Sequence, residues 1–310
     1  MKKRHLITRA VALIMAFVFI LGGCGKRDIP VTSNEQLLSR ITPENAAVIT
    51  ESVVDVYDEP DILSTRTTQV LFNQVVKISK EENSWMNIVL LDGFSGWVKS
   101  KYVSRNTEGV TDGSINNKII VTAKITDVYS GSNNKVKYKK IVLGTELYSY
   151  GKTKTGYNIL MPENKTGWID EGGVIAIPIS NNIIPKTTGN DFVQTIKKFD
   201  GTIFIMGGMS RWGIDSAGLV YISSKINGID VPRNLSQMRN IGTAIHEEKN
   251  IQMGDLIFFS TDSLKEDVYD VGVYVGDNKF VHSSTSKGVI TESLEDSYFK
   301  DRVCDIRRIF

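Results

Sequence analysis

Asp215-Ser216-Ala217-Gly218-Leu219-Val220 is the stretch of sequence that decides the fold of the C-terminal region. Apolar residues continue from it at helical spacing until Asn227-Gly228, so the pattern predicts a helix that begins near Ser216. The N-terminus of a helix has free N–H groups and a positive dipole, and both stabilise an anion.

Several segments surround this helix. An upstream helix is predicted from the spacing of Phe192, Val193 and Ile196. The predicted strands are 253–259, 270–276, 279–284 and 302–310.

The ordered set resembles the NlpC/P60 family of papain-like cysteine peptidases over about residues 185–310, which implies an α+β domain. In that family the helix opens with D-C-S-G-L, and its cysteine is the nucleophile. A strand that opens H-V-G-I-Y supplies the basic histidine, and a polar residue on the next strand orients that base. A thiolate at a helix N-terminus beside an imidazolium has a lowered pKa and is nucleophilic at neutral pH.

The three catalytic positions of the family correspond to Ser216, Asp270 and His282. Ser216 stands where the family has its cysteine, Asp270 replaces the base, and only His282 matches. Glycines and other scaffold positions are kept, so the sequence predicts an NlpC/P60 domain that no longer cleaves. A serine triad in another order would require His282 to reach Ser216 directly, because an aspartate with a pKa of ~3.9 is a weak base.

The resemblance also implies a set of substrate-binding positions. These are Phe204, Asp215, Arg233 and Asn234. Phe204 replaces a tyrosine of the family. Asn234 stands where the endopeptidases that require a free L-Ala amine have an aspartate after Pro-Arg, and it lacks the charge to pair with an ammonium.

The middle of the chain contains an internal repeat. Asp55-Val56-Tyr57 recurs as Asp127-Val128-Tyr129, and Gly96-Trp97-Val98 recurs as Gly167-Trp168-Ile169. Short β-rich runs predict a small all-β barrel in each copy, with strands at 70–78, 87–91, 140–148 and 157–161. The pattern resembles bacterial SH3-like domains over about 46–104 and 118–177, and the two tryptophans are interpreted as packing residues rather than ligand platforms.

The multidomain order of two SH3-like barrels and an α+β domain resembles the three-domain γ-D-glutamyl-L-diamino acid endopeptidases, which trim peptidoglycan stem peptides. Four lysines at 135, 137, 139 and 140 indicate a solvated strand face, with binding of an anionic wall polymer as the alternative.

The N-terminus has the layout of a targeting segment. A basic start precedes the apolar run 10–21, which is too short to cross a membrane. Leu21-Gly22-Gly23-Cys24 resembles the lipobox of bacterial lipoproteins, which implies a signal peptide at 1–23 and lipid on Cys24. Residues 24–45 are predicted to form a tether, and Cys304 is then the only remaining thiol.

Composition excludes several classes of function. With 41% hydrophobic and 23% charged residues, the 310-residue chain is neither disordered nor a multi-span membrane protein. The net charge of +2 becomes −2 without the four basic residues among the first nine, so nucleic acid is not the expected partner. His246-Glu247-Glu248 lacks a second zinc-binding histidine and no phosphate loop is present, so no metal and no cofactor are expected.

Three hypotheses remain open at this point. The first is a wall-facing, membrane-anchored protein whose inactive NlpC/P60 domain binds peptidoglycan stem peptides or regulates wall remodelling. The second is an active stem-peptide hydrolase, with Cys304 as a less favoured substitute nucleophile. The third is an assembly factor that docks another wall hydrolase.

Overall fold

A computed structural model describes residues 42, 44–132, 136–180, 183–261 and 266–310. The predicted signal peptide, Cys24, most of the tether and Lys135 lie outside these ranges. Within them, no helix combines the length and apolar character that crossing a membrane requires.

The first repeat folds as a seven-stranded antiparallel sheet. Its strands are β1 (Ala46–Ile49), β2 (Val53–Tyr57), β3 (Arg66–Leu71), β4 (Val75–Glu82), β5 (Trp85–Val89), β6 (Ser95–Lys99) and β7 (Val103–Ser104). They lie in the order β3-β2-β6-β5-β4-β1-β7, and a short 3-10 turn at Ser100–Tyr102 precedes β7. Alternate residues of β2 point into the core, so Val54 and Val56 are buried. We call this unit barrel 1.

The second repeat, barrel 2, has the same topology. After a short helix α1 (Glu108–Thr111), its strands are β8 (Asn117–Val121), β9 (Ile125–Tyr129), β10 (Lys137–Val142), β11 (Glu146–Lys152), β12 (Gly156–Met161), β13 (Lys165–Asp170) and β14 (Val174–Pro178). Their order, β10-β9-β13-β12-β11-β8-β14, repeats that of barrel 1 strand for strand. The predicted internal repeat and its all-β class are confirmed.

Two predicted strands are each a pair of strands. The run 70–78 divides between β3 and β4, and the run 140–148 divides between β10 and β11. Asn73 and Gly144 lie in the intervening turns with φ angles of 62° and 89°. This left-handed conformation reverses the chain, and the apolar residues on either side of it conceal the turn in the sequence.

Each barrel contains an ion pair of its own, and the two pairs occupy equivalent positions. Arg66 Nε lies 2.8 Å from Asp55 in barrel 1, and Lys137 Nζ lies 2.6 Å from Asp127 in barrel 2. Their tryptophans differ, because Trp168 is fully buried whereas Trp97 is half-buried. Packing therefore accounts for Trp168, as the sequence predicted.

The C-terminal domain combines helices with a six-stranded sheet. Its helices are α2 (Gly189–Lys197), α3 (Ser216–Ile226), α4 (Leu235–Met238) and α5 (Ser297–Lys300). Its strands are β15 (Met209–Ser210), β16 (Gly213–Ile214), β17 (Thr243–Ala244), β18 (Leu256–Ser260), β19 (Val268–Gly276), β20 (Lys279–Ser284), β21 (Gly288–Ser293) and β22 (Val303–Arg308). The sheet order is β17-β22-β18-β19-β20-β21, whereas β15 and β16 pair separately.

Helix α3 packs on strands β19 and β20 through its apolar side. Leu219, Val220 and Ile222 are almost completely buried in a core that continues into both barrels through Leu71 and Ile120. Because the apolar contacts cross the domain boundaries, the barrels help to form the surroundings of α3.

The tight space around Gly156 in barrel 2 provides a test of the packing. An added Cβ would lie 2.1 Å from the carbonyl oxygen of Ile169 and 2.6 Å from the ring of Trp168. We expect Gly156→Ala to lower the free energy of unfolding by about 1–3 kcal/mol, measured by urea denaturation. Gly151→Ala is the matched control, because its nearest neighbour is 3.9 Å away. Equal losses from the two variants would contradict this description of the core.

Candidate functional site

Asp215 caps the N-terminus of α3. Its Oδ1 accepts a hydrogen bond from Gly218 N at 2.7 Å, and its Oδ2 accepts one from Gly207 N at 2.8 Å. Arg233, which is 7% exposed, donates to the same Oδ2 at 2.7 Å. The carboxylate therefore satisfies three donors beside Ser216 and is itself paired with a guanidinium.

The hydroxyl of Ser216 is bonded to the backbone of the neighbouring strand. Ser216 Oγ accepts a hydrogen bond from Ser283 N at 3.0 Å and donates to Ser283 O at 3.4 Å. The side chain is buried, with 6% of its surface exposed. Neither contact supplies a base for the hydroxyl proton.

His282 lies between two carboxylates. Its Nδ1 is 2.7 Å from Asp270 Oδ2, and its Nε2 is 3.1 Å from Glu292 Oε2. Glu292 also accepts a hydrogen bond from Lys287 Nζ at 2.8 Å. The expected contact between Asp270 and His282 is present, and Glu292 is a partner that sequence reasoning missed.

The two carboxylates decide the protonation of this ring. Burial lowers the pKa of His282, but the hydrogen bond and charge of Asp270, followed by those of Glu292, outweigh it and raise the pKa above its usual value. Two carboxylate contacts also need two N–H donors, which only the protonated ring has. A protonated ring cannot accept a proton, and the hydroxyl of Ser216 is bonded to the Ser283 backbone rather than to His282.

These groups lie in a cleft of about 780 Å³. All seven catalytic and substrate-binding positions predicted in the C-terminal domain line it, Phe204 and Asn234 included. Barrel 1 forms part of the wall through Thr65, Arg66, Thr67 and Phe94, which the sequence did not indicate.

Direct hydrogen bonds join barrel 1 to the segment of the C-terminal domain that borders the cleft. Gln69 Oε1 accepts from Met209 N at 2.9 Å, and Arg66 donates to the carbonyl oxygen of Met206 at 3.3 Å. Gly207 has a φ of 73°, and an added Cβ would lie 3.0 Å from the carbonyl oxygen of Arg66. Close approach of the two backbones therefore requires glycine at this position.

Other candidates from the sequence lie outside the cleft. Cys304 is half-buried in β22, where its Sγ lies 3.2 Å from Phe258 O. Lys139 is paired with Glu51 at 2.7 Å, and Lys137 is paired within barrel 2. Across the described ranges, no group of three potential metal ligands is found.

Comparison with known proteins agrees with this architecture. The NlpC/P60 family model matches residues 201–308, and the bacterial SH3 domain model matches residues 52–104. The chain is 36% identical over 132 residues to the probable endopeptidase NlpC of Escherichia coli K12, a match that spans 42% of this chain and 82% of that protein. This chain belongs to the NlpC/P60 family.

Two further proteins match more of this chain. A γ-D-glutamyl-L-lysine dipeptidyl-peptidase of Bacillus cereus is 28% identical over 224 residues. That match covers 70% of this chain and 66% of the relative, just under two thirds of its length. The crystal structure of an NlpC/P60 family protein from Bacillus cereus ATCC 10987 superposes with a TM-score of 0.78 at 23% identity, over 85% of this chain and 99% of that one. The predicted fold class is confirmed.

The titration of His282 tests the geometry around it. We expect its ring signals, followed by NMR, to titrate above the reference pKa of ~6.5, and Asp270→Asn to lower that pKa by removing the nearer charge. Asp296→Asn removes a charge from the same cleft without contacting His282 and is the matched control. A pKa of His282 below the reference in the wild type would contradict the described contacts.

The same shift has a consequence for stability. A raised pKa in the folded state means that the protonated ring favours folding. Its contribution is fully present below about pH 6.5 and is lost as the pH rises through the folded-state pKa. The free energy of unfolding can be measured by urea denaturation at a series of pH values above and below this pKa. We expect it to fall less with rising pH in Asp270→Asn than in the wild type.

Proposed function

We propose that this protein binds peptidoglycan stem peptides at the outer side of the cytoplasmic membrane without cleaving them. The site holds a buried hydroxyl where the family has a thiolate, and a carboxylate where it has a basic imidazole. The cleft nevertheless offers hydrogen-bonding groups and apolar walls that suit a short peptide.

One observation carries this proposal: both nitrogens of His282 face carboxylates, whereas Ser216 Oγ bonds to the Ser283 backbone. A serine hydroxyl needs a nearby base to become a nucleophile. Loss of a complete catalytic unit costs on the order of 10⁶ in rate in a serine protease. Retention of a ligand without turnover is the activity that such a cleft supports.

The choice of stem peptides as the proposed ligand is supported by the name of a similar protein. The Bacillus cereus relative is named for the γ-D-glutamyl-L-lysine bond, which is a stem-peptide linkage. We expect weak binding, with a Kd near ~0.1–1 mM, because Asn234 supplies no charge and Phe204 has no hydroxyl.

The proposed location depends on the N-terminal sequence. Leu21-Gly22-Gly23-Cys24 follows a short apolar segment, and we infer that lipid on Cys24 anchors the chain so that it faces the wall. A chain anchored in this way faces peptidoglycan and the hydrolases that are bound to it.

Two other functions would use the same scaffold. Hydrolysis of stem peptides is favoured by the names of the relatives, which are peptidases. Docking of an active wall hydrolase would need the C-terminal domain only as a surface, and it would leave the cleft without a peptide ligand.

Incubation with the tripeptide L-Ala-γ-D-Glu-L-Lys, with products and bound peptide both measured, tests the proposal. We expect the wild type to bind the peptide without cleaving it. Ser216→Ala should form the same amount of cleavage product as the wild type, which is none above background. Ser216→Cys alone should also remain inactive, because the members of a catalytic unit act together. Cleavage by the wild type that disappears in Ser216→Ala would establish the hydrolase instead.

The double variant Ser216→Cys with Asp270→His is the positive arm of this experiment. It restores the thiol and the imidazole at the family positions, and we expect slow cleavage that neither single variant shows. Absence of both cleavage and binding in the wild type at millimolar peptide would leave the docking function as the remaining candidate.

The anchor has a test of its own. Cys24→Ala should release the protein from the membrane fraction or block its processing, because the thiol that would carry the lipid is gone. Labelling with a radioactive fatty acid measures the same event in the wild type. A wild type that takes up no label and fractionates as soluble would refute the lipid anchor.

A further inference from the structure

The aspartate of the repeated Asp-Val-Tyr motif has different surroundings in the two barrels. In barrel 1, Asp55 Oδ1 accepts a hydrogen bond from Gln69 Nε2 at 2.8 Å and lies 2.8 Å from Arg66 Nε. Asp55 and Gln69 stand directly opposite each other on paired strands. In barrel 2, the residue opposite Asp127 is Lys140, which is exposed. Only barrel 1 therefore has an amide at this position.

The amide of Gln69 also reaches the C-terminal domain. Its Oε1 accepts a hydrogen bond from Met209 N at 2.9 Å, while its Nε2 donates to Asp55. Because the oxygen of an amide only accepts and its nitrogen only donates, the two partners together fix the orientation of the side chain. Asp55 thereby holds Gln69 in the rotation that bonds to Met209.

The segment 206–209 contacts two of the proposed substrate-binding residues. Met209 Sδ accepts a hydrogen bond from Arg233 Nε at 3.0 Å, and Gly207 N donates to Asp215 Oδ2 at 2.8 Å. Arg233 and Asp215 are also paired with each other at 2.7 Å. Met209 and Arg233 are 5% and 7% exposed, so close packing transmits a displacement of the segment to the guanidinium.

A continuous row of hydrogen bonds therefore joins barrel 1 to the cleft. It runs from Asp55 through Gln69 to the backbone of Met209, and from the sulfur of Met209 to Arg233. Among the described residues, Arg233 lines the cleft, whereas Asp55 and Gln69 do not. Loss of an inner member would leave its neighbours without a partner, and they would then move to find another.

We propose that Asp55 and Gln69 are positioning residues, which hold Met209 and Arg233 in the arrangement that binds a peptide. The inference rests on the proposed function where it concerns affinity, but the position of Met209 can be measured without a ligand. Barrel 1 then sets the affinity of the cleft through two residues outside its lining. The aspartate of barrel 2 has no such part.

Gln69→Glu breaks the row at its second member. The new carboxylate would face that of Asp55, and their repulsion should turn it away from Met209 N. We expect the Kd for L-Ala-γ-D-Glu-L-Lys to rise about tenfold, the ratio expected for loss of one hydrogen bond, in NMR titrations of the full chain. The methyl signal of Met209 should also shift before peptide is added, in protein whose methionine methyl groups carry an NMR label.

The double variant Asp55→Asn with Gln69→Glu reverses the direction of one hydrogen bond. Asparagine then donates to glutamate, and glutamate still accepts from Met209 N, so the row is restored. We expect both the Kd and the Met209 signal to return close to their wild-type values. Asp127→Asn is the matched control, because it removes the equivalent aspartate, which is paired with Lys137 inside barrel 2, and it should change neither quantity.

The outcomes distinguish this inference from the proposed function. An unshifted Met209 signal in Gln69→Glu, a shifted signal with an unchanged Kd, or a double variant that behaves like the single one overturns the inference while peptide binding stands. An equal effect of Asp127→Asn also overturns it. Absence of peptide binding in the wild type overturns the proposed function. The Met209 signal then tests the row alone, and a shift in Gln69→Glu that the double variant reverses supports it.

Discussion

The cleft depends on the way helix α3 is held at three points along its length. Asp215 fixes its N-terminus by accepting backbone N–H groups from two segments. Midway, burial and then the negative charge of Asp92 in barrel 1 raise the pKa of the Tyr221 hydroxyl, and near the C-terminus Lys225 Nζ lies 3.1 Å from Glu146 of barrel 2. Because polar groups in a core must be paired, each contact constrains the helix relative to another domain. The position of Ser216 is therefore set by all three domains.

The hydroxyl of Ser216 and the ring of His282 form hydrogen bonds with different partners. Ser216 is bonded to the backbone of Ser283, and His282 is bonded to Asp270 and Glu292. A hydroxyl bonded to a strand backbone has little reason to move, and an imidazolium between two carboxylates loses both contacts if it turns away. Within the described residues, the hydrogen bonds of the Ser216 hydroxyl are with the backbone of Ser283 and not with the imidazole. Family membership and local geometry therefore give different information: the first describes the scaffold, and the second describes what the scaffold can do.

The fold was largely accessible from sequence, because helical spacing, strand alternation and the repeat are local patterns. The predicted start of α3 and the contact of Asp270 with His282 both follow from such patterns and from the family order. Glu292 was missed because β21 was not predicted, although its β-branched residues favour a strand. The cleft wall from barrel 1 was missed for another reason: it depends on how domains pack, and no local pattern encodes that.

The equivalent ion pairs of the two barrels, one in each, differ in what their basic residues contact. Arg66 can hold Asp55 and still donate to Met206 O, because a guanidinium has several donors in a fixed plane. Lys137, at the equivalent position, is a single point charge that is mostly exposed and serves barrel 2 alone. Substitution of Arg66 would remove a hydrogen bond to the cleft wall, whereas substitution of Lys137 would remove an ion pair inside barrel 2. The pair in barrel 1 therefore reaches the wall of the cleft, whereas the pair in barrel 2 joins two strands of that barrel.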